Sequence, residues 1–190
     1  MQYRVERAVI VAAGTGTRMR PVTLHTPKPL VEVNGKAMIC TVIDGLIENG
    51  INEIYVVTGY LGAQFERLRS LYPGLTLIEN PYYGSCNNIS SLYAAREHLE
   101  NCIILDGDQI IHDSSVLSPE FDRSGYNCVW TGESTDEWLL TVEDGIVTHC
   151  SRTGGKNGWQ LYSISRWSAE DGRRLRRHLE SEFEVKGNRQ

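Results

Sequence analysis

An apolar, β-branched run that breaks into a glycine loop constrains this chain more than any other feature. It lies in VIVAAGTGTRMRPVTLHTPKPL, Val9 to Leu30. VIVAA reads as a buried strand, and Gly14, Thr15, Gly16 and Thr17 follow it directly. Such a loop brings backbone N–H groups close to a bound anion. Arg18, Arg20 and Lys28 then supply three cations within eleven residues. Together they can neutralise a polyphosphate that loop amides alone do not hold. The pattern points to a nucleoside triphosphate site. It is not a P-loop, because no GxxxxGK[ST] string occurs, and not a dinucleotide fingerprint, because Met19 stands where a third glycine belongs.

The first hundred residues alternate strands and helices. Strands are expected at Arg7–Ala12, Glu53–Thr58, Leu75–Glu79 and Cys102–Asp106, and helices at Lys36–Asn49, Gly62–Tyr72 and Ile89–Leu99. Met38, Ile39, Val42, Ile43, Leu46 and Ile47 recur at helical spacing, and Gly50 sits where a C-cap belongs. A βαβ rhythm gives parallel strands joined by right-handed crossovers. The fold class is therefore α/β, Rossmann-like, with a mostly parallel central sheet flanked by helices. The second half reads as a smaller mixed β portion. Its strands are expected at Asn127–Thr131, Trp138–Glu143, Ile146–Ser151 and Gln160–Ser165, with Asp144-Gly145 as a hairpin turn. Ser168 with Asp171 resembles a capping box opening a helix to about Phe183. Residues 1–190 read as one domain.

Composition narrows the function. The net charge is −5, which argues against non-specific nucleic-acid binding. VIVAAG is too short to span a bilayer, so no membrane insertion is expected. The five cysteines form no CxxC pair, so neither a zinc site nor a disulfide framework is indicated, and a reduced cytoplasmic setting is expected.

In an open parallel sheet, ligands bind beyond the carboxyl ends of the strands. The fourth strand delivers Asp106-Gly107-Asp108 there. A carboxylate facing a triphosphate is a natural Mg2+ ligand, because Mg2+ prefers oxygen and bridges carboxylate to phosphate. The polar segment NPYYGSCNNISSL follows the third strand at the same edge. Asn80, Asn87 and Asn88 carry amides suited to a pyrimidine edge. Asparagine is equally a turn and cap residue, and that alternative stays open.

The front segment resembles the signature of the nucleotidyltransferases that activate sugar phosphates and phosphocholine, GxGxR followed by PKPL. Gly14, Gly16, Arg18, Pro27, Lys28, Pro29 and Leu30 match it. NNISSLYAA, LDGDQII and TDEWLL resemble the corresponding segments of bacterial CTP:phosphocholine cytidylyltransferases. The resemblance runs from about Arg7 to about Phe183. It implies transfer of CMP from CTP to phosphocholine, giving CDP-choline and pyrophosphate. It implies that Ala12, Ala13, Gly14 and Gly16 lie along the nucleotide and that the Asn80 loop reads the base. Arg18 and Lys28 would bind phosphates, and Asp108 would be the metal aspartate with Asp106 beside it.

Aromatic residues bear on the acceptor. Trp138, Trp159 and Trp167 fall where it belongs, with Tyr162 among them. Aromatic faces attract a quaternary ammonium by roughly 0.5–2 kcal/mol per contact. Trp138, Trp167 and Tyr162 are the candidate faces, and Glu137 could add a carboxylate. The alternative is that these tryptophans are core residues. Two other functions stay in view: transfer to 2-aminoethylphosphonate or a sugar 1-phosphate, and a nucleotide-binding module without turnover. In the resembled enzymes a second metal aspartate comes after the last helix. EFEVKGNRQ contains no Asp, and Glu180, Glu182 and Glu184 match poorly. The expectation is a chain truncated at its C-terminus.

Overall fold

The computed structural model describes residues 2–187. The chain divides into two units. The larger is built from residues up to Ser124 and from Arg166 onward, and the smaller is Gly125–Ser165. The second-half β portion expected from the sequence is this smaller unit.

In the larger unit, β1 (Arg7–Val11), β2 (Glu53–Thr58), β3 (Leu75–Glu79) and β4 (Cys102–Asp106) pair in parallel, in the order β4-β1-β2-β3. The helices are α1 (Met38–Glu48), α2 (Arg67–Leu71), α3 (Ile89–Ala94) and α4 (Ala169–Glu180). Because β1 has β2 on one side and β4 on the other, its carboxyl end is a topological switch point, where such sheets bind ligands. The register sets Val11 opposite Val57 and Asp106.

Both faces of the sheet are covered. Val9, Val57 and Ile104 pack with Ala95, Leu99 and Leu179 on the side of α3 and α4. Alternation turns Ala8 and Ile10 to the opposite face, where both are fully buried, as are Ile39, Ile43 and Leu46 of α1. Each Val, Leu or Ile among them contributes about 1.5–3 kcal/mol on burial.

The helices depart from expectation at their ends. Lys36–Ala37 does not start α1 but pairs with Glu32–Val33 across an Asn34-Gly35 turn. Both turn residues have positive φ (54° and 80°), as a tight hairpin requires. Gly62–Glu66 and Arg96–His98 are 3-10 turns next to α2 and α3, a common way for short helices to begin or end.

The smaller unit contains β5 (Gly125–Thr131), β6 (Leu139–Glu143), β7 (Ile146–Ser151) and the first part of β8 (Gly158–Trp167). β6 pairs antiparallel with β7 and β8. Asp144 and Gly145 (φ 51° and 75°) close the β6–β7 hairpin. In the larger unit, Ser168 caps α4 as expected, its Oγ accepting from the Asp171 N–H at 3.2 Å. The Ser124 hydroxyl donates to the Asp171 carboxylate (2.6 Å) and holds that carboxyl below the usual range. After α4 a π-helical turn, Ser181–Val185, buries Phe183.

Candidate active site

The site is built by two strand ends. The Ala12 N–H donates to Val57 O and the Gly107 N–H to Val11 O, both at 2.9 Å. The ladder thus continues past β1 and β4, and the glycine loop and Asp106-Gly107-Asp108 leave the sheet side by side. Between them lies a cavity of about 300 Å3. Ala12, Gly14, Gly16, Arg18, Lys28, Asn88, Asp106 and Asp108 all line it.

Local chemistry fixes each wall. Gly16 has φ +61°, and a Cβ there would meet Thr23 Cγ2 at 3.0 Å and Lys28 Cβ at 3.1 Å. Only glycine fits this left-handed, crowded position. In PKPL, the Leu30 N–H donates to Pro27 O at 2.8 Å. Leu30 is buried, and that anchor leaves Lys28 half-exposed at the cavity wall. Its Nζ stands 2.5 Å from Asp108 Oδ2.

Asp106 and Asp108 are hard oxygen donors at a strand end. Among the described residues no group of three or more His, Cys, Asp or Glu could hold a metal ion. Two carboxylates on one cavity still fit Mg2+, which takes one or two carboxylates and fills its octahedron with other oxygens, phosphate or water. The late glutamates do not join them. Glu180 pairs with Arg176 (2.9 Å), Glu182 with Lys186 (2.6 Å), and Glu184 accepts from Tyr93. Residues 188–190, the end of EFEVKGNRQ, lie outside the described residues. Burial pushes the Cys102 thiol up to about 12, so it offers no thiolate nucleophile near neutral pH.

Several candidates fall elsewhere. Ala13 is buried, and its carbonyl accepts from the Tyr60 N–H (3.2 Å). It lies beneath the loop rather than on the cavity wall. Asn80 is 1% exposed. Its amide donates to Ser90 Oγ (2.9 Å) and Ser91 Oγ (3.1 Å), and its oxygen accepts from the Tyr82 N–H (2.9 Å). It therefore staples the loop to α3 and cannot read a base. Asn87 Oδ1 accepts from the Ile89 N–H (3.1 Å), a capping role. Of the three asparagines, Asn88 lines the cavity.

Trp167 is also spent structurally. It belongs to the larger unit, where it packs against the cluster containing Val9, Leu99 and Leu179. Trp138, Glu137 and Tyr162 lie exposed in the smaller unit. There Trp130 and Trp159 meet edge-on, ring centroids 5.6 Å apart. Trp130 carries no motif and went unremarked in the sequence. Thr17 and Met19 also line the cavity. Thr17 sits inside the GTGTR string, which is the one signal that pointed to it.

A glycine loop at a sheet switch point, two cations and two carboxylates thus meet on one cavity. The chain belongs to the MobA-like NTP transferase domain family, which matches residues 8–179. It is 40% identical over 186 residues to the 2-aminoethylphosphonate cytidylyltransferase of Lancefieldella rimae, covering 96% of this chain and 75% of that protein. It is 37% identical over 169 residues to the choline-phosphate cytidylyltransferase of Streptococcus pneumoniae, covering 89% and 73%. The fold superposes on the structure of the S. pneumoniae CTP:phosphocholine cytidylyltransferase with a TM-score of 0.86 at 36% identity, covering 97% of this chain and 79% of that one. Among the described residues no helix is long and apolar enough to cross a membrane.

Proposed function

We propose that this chain transfers CMP from CTP to a small phosphate or phosphonate that carries an ammonium group, with phosphocholine as the first acceptor. The observation that carries the reading is the gathering of Arg18, Lys28, Asp106 and Asp108 around one cavity behind the glycine loop. The relatives named above support cytidylyl transfer.

An acceptor oxygen attacks the α-phosphorus of CTP in line. The bond to the β-phosphate bridging oxygen breaks, and that oxygen leaves with its electron pair on pyrophosphate. The protein's part is positioning and charge neutralisation. Backbone N–H groups around Gly14 and Gly16 approach the phosphates. Arg18 neutralises the triphosphate and the departing pyrophosphate, Lys28 binds oxygens at the reacting centre, and Asn88 is the candidate base contact. Asp108, with Asp106 beside it, would hold Mg2+, which would draw charge from the phosphate oxygens.

The exposed Trp138 and the Trp130–Trp159 pair support a quaternary ammonium, which aromatic faces attract. The 40% identical relative supports a second reading, 2-aminoethylphosphonate, whose primary ammonium favours carboxylates. Pyrophosphate release from CTP decides between them, measured with phosphocholine, 2-aminoethylphosphonate and a sugar 1-phosphate. A kcat/KM at least tenfold higher for phosphocholine is expected. A reversed preference would move the acceptor assignment, and no release with any acceptor would overturn the function.

A further inference from the structure

We propose that Tyr60 and Gln64 are positioning residues that hold Arg18 and Lys28 in place by clamping the backbone of the segment between them. The inference rests on reading the cavity as the nucleotide phosphate site.

The segment from Thr17 to Leu30 has little of its own to hold it. It contains three 3-10 turns of three residues each, at Thr17–Met19, Val22–Leu24 and Lys28–Leu30. No sheet ladder or long helix runs through it. Val22 and Leu24 are exposed, and the buried Thr23 between them is polar, so apolar burial contributes little to its middle. Yet it carries both cations of the cavity, and those cations act on phosphates only where the backbone delivers them.

Two side chains from beyond β2 supply the missing constraint. The Tyr60 hydroxyl donates to Thr23 O at 2.9 Å, and Gln64 Nε2 donates to His25 O at 2.8 Å. Thr23 is 1% exposed, and its Oγ1 donates back to Gly16 O at 2.8 Å. The hold on Thr23 therefore passes directly into the glycine loop. The Tyr60 N–H also donates to Ala13 O at 3.2 Å. One residue thus brackets the loop from both ends, Ala13 upstream and Thr23 downstream. Neither Tyr60 nor Gln64 lines the cavity, so their effect on chemistry must pass through Arg18 and Lys28.

The test uses Tyr60→Phe, which removes one hydroxyl and keeps the ring, and Tyr60→Phe combined with Gln64→Ala. Steady-state kinetics with Mg2+ and CTP would be read beside amide hydrogen exchange of the ligand-free chain. For Tyr60→Phe, kcat/KM for CTP should fall about three- to tenfold, the scale of one hydrogen bond. The acceptor KM should stay within about twofold. The double variant should lose more. Exchange should rise within Thr17–Leu30 while β1, β2 and β4 stay protected. Parent-like exchange and kinetics in both variants would overturn the proposal. So would an equal loss for CTP and acceptor with exchange raised throughout. The exchange arm needs no substrate. A parent chain that does not turn over CTP would overturn the proposed function, while locally raised exchange would still uphold the clamp.

Discussion

Lys28 Nζ and Asp108 Oδ2 form an ion pair 2.5 Å long that joins the segment after β1 to the turn after β4. Both side chains keep about 30% exposure. A pair so exposed contributes about 0–1 kcal/mol to stability, a Tm change of up to about 4 °C for a chain of this size. The pair's importance is therefore expected to lie in chemistry. Asp108→Asn keeps the shape and removes the charge that would face Mg2+. Turnover should fall about a hundredfold or more, the scale for losing one electrostatic stabiliser. Turnover within a few-fold of the parent, measured as Mg2+-dependent pyrophosphate release, would remove Asp108 from the mechanism.

Lys28→Ala and Arg18→Ala should each lower turnover by about tenfold to a thousandfold with the fold intact. Both residues stand on a ligand loop, not in the core. Circular dichroism should match the parent, and the melting temperature should stay within about 4 °C of it. A variant that unfolds would show that its residue holds structure rather than phosphate.

The asparagines separate cleanly. Asn80→Ala leaves two serine hydroxyls and a backbone N–H without their partner at a buried position. It should cost about 1–3 kcal/mol of stability. Asn88→Ala should leave stability nearly unchanged and raise the KM for CTP. Denaturation curves and kinetics on the two variants check this. A stable Asn80→Ala chain with a raised CTP KM would return Asn80 to the nucleotide.

The gathering of the glycine loop, cations and carboxylates on one cavity was legible because sequence order and sheet order coincide there. Once β1 and β4 are neighbours, Gly14, Arg18, Lys28 and Asp108 have nowhere to go but one edge. Side-chain direction was less legible. Asn80 and Asn88 are the same residue type in one loop, and only packing sends the first inward and the second to the cavity. Trp167 sits at the end of β8, where helix packing claims it; a tryptophan's sequence carries no mark of that. Tyr60 was invisible for a different reason. Its hydroxyl acts on a backbone carbonyl 37 residues away, and no spacing rule encodes such a bond.

The two tryptophans first considered for the acceptor should now behave differently. Trp167→Leu removes ring area packed against Val9 and Leu179, so it should lower stability by about 1–3 kcal/mol with little change in acceptor KM. Trp138→Leu keeps apolar bulk but loses an exposed π face. It should raise the phosphocholine KM roughly two- to thirtyfold, the range of one cation–π contact, and leave the CTP KM unchanged. An equal rise in both constants for Trp138→Leu would count against an ammonium contact.

Gly59 offers a way to move the loop that carries Asn88 without touching it. A Cβ at this position would lie 2.7 Å from both Cβ and Cγ of Tyr83. Its φ is not in the left-handed region, so alanine meets no φ strain there, only Tyr83 at its Cβ and ring. The base of the loop cannot yield easily, because the Asn80 N–H is held by Thr58 O at 2.8 Å. Because Tyr83 Cβ is itself struck, rotating the ring does not relieve the clash; the backbone at Tyr83 must shift, drawing the segment that leads to Asn88. Overpacking of this kind costs about 1–3 kcal/mol. Gly59→Ala should therefore raise the CTP KM about three- to tenfold with the acceptor KM little changed. The second variant, Gly59→Ala with Tyr83→Gly, removes both the Cβ and the ring that the new methyl strikes. If the clash is the cause, that pair should recover most of the loss relative to Tyr83→Gly alone, a coupling a double-mutant cycle measures directly. Additive losses in the cycle would mean that Gly59 does not act through Tyr83, and the link from the end of β2 to the Asn88 loop would have to be withdrawn.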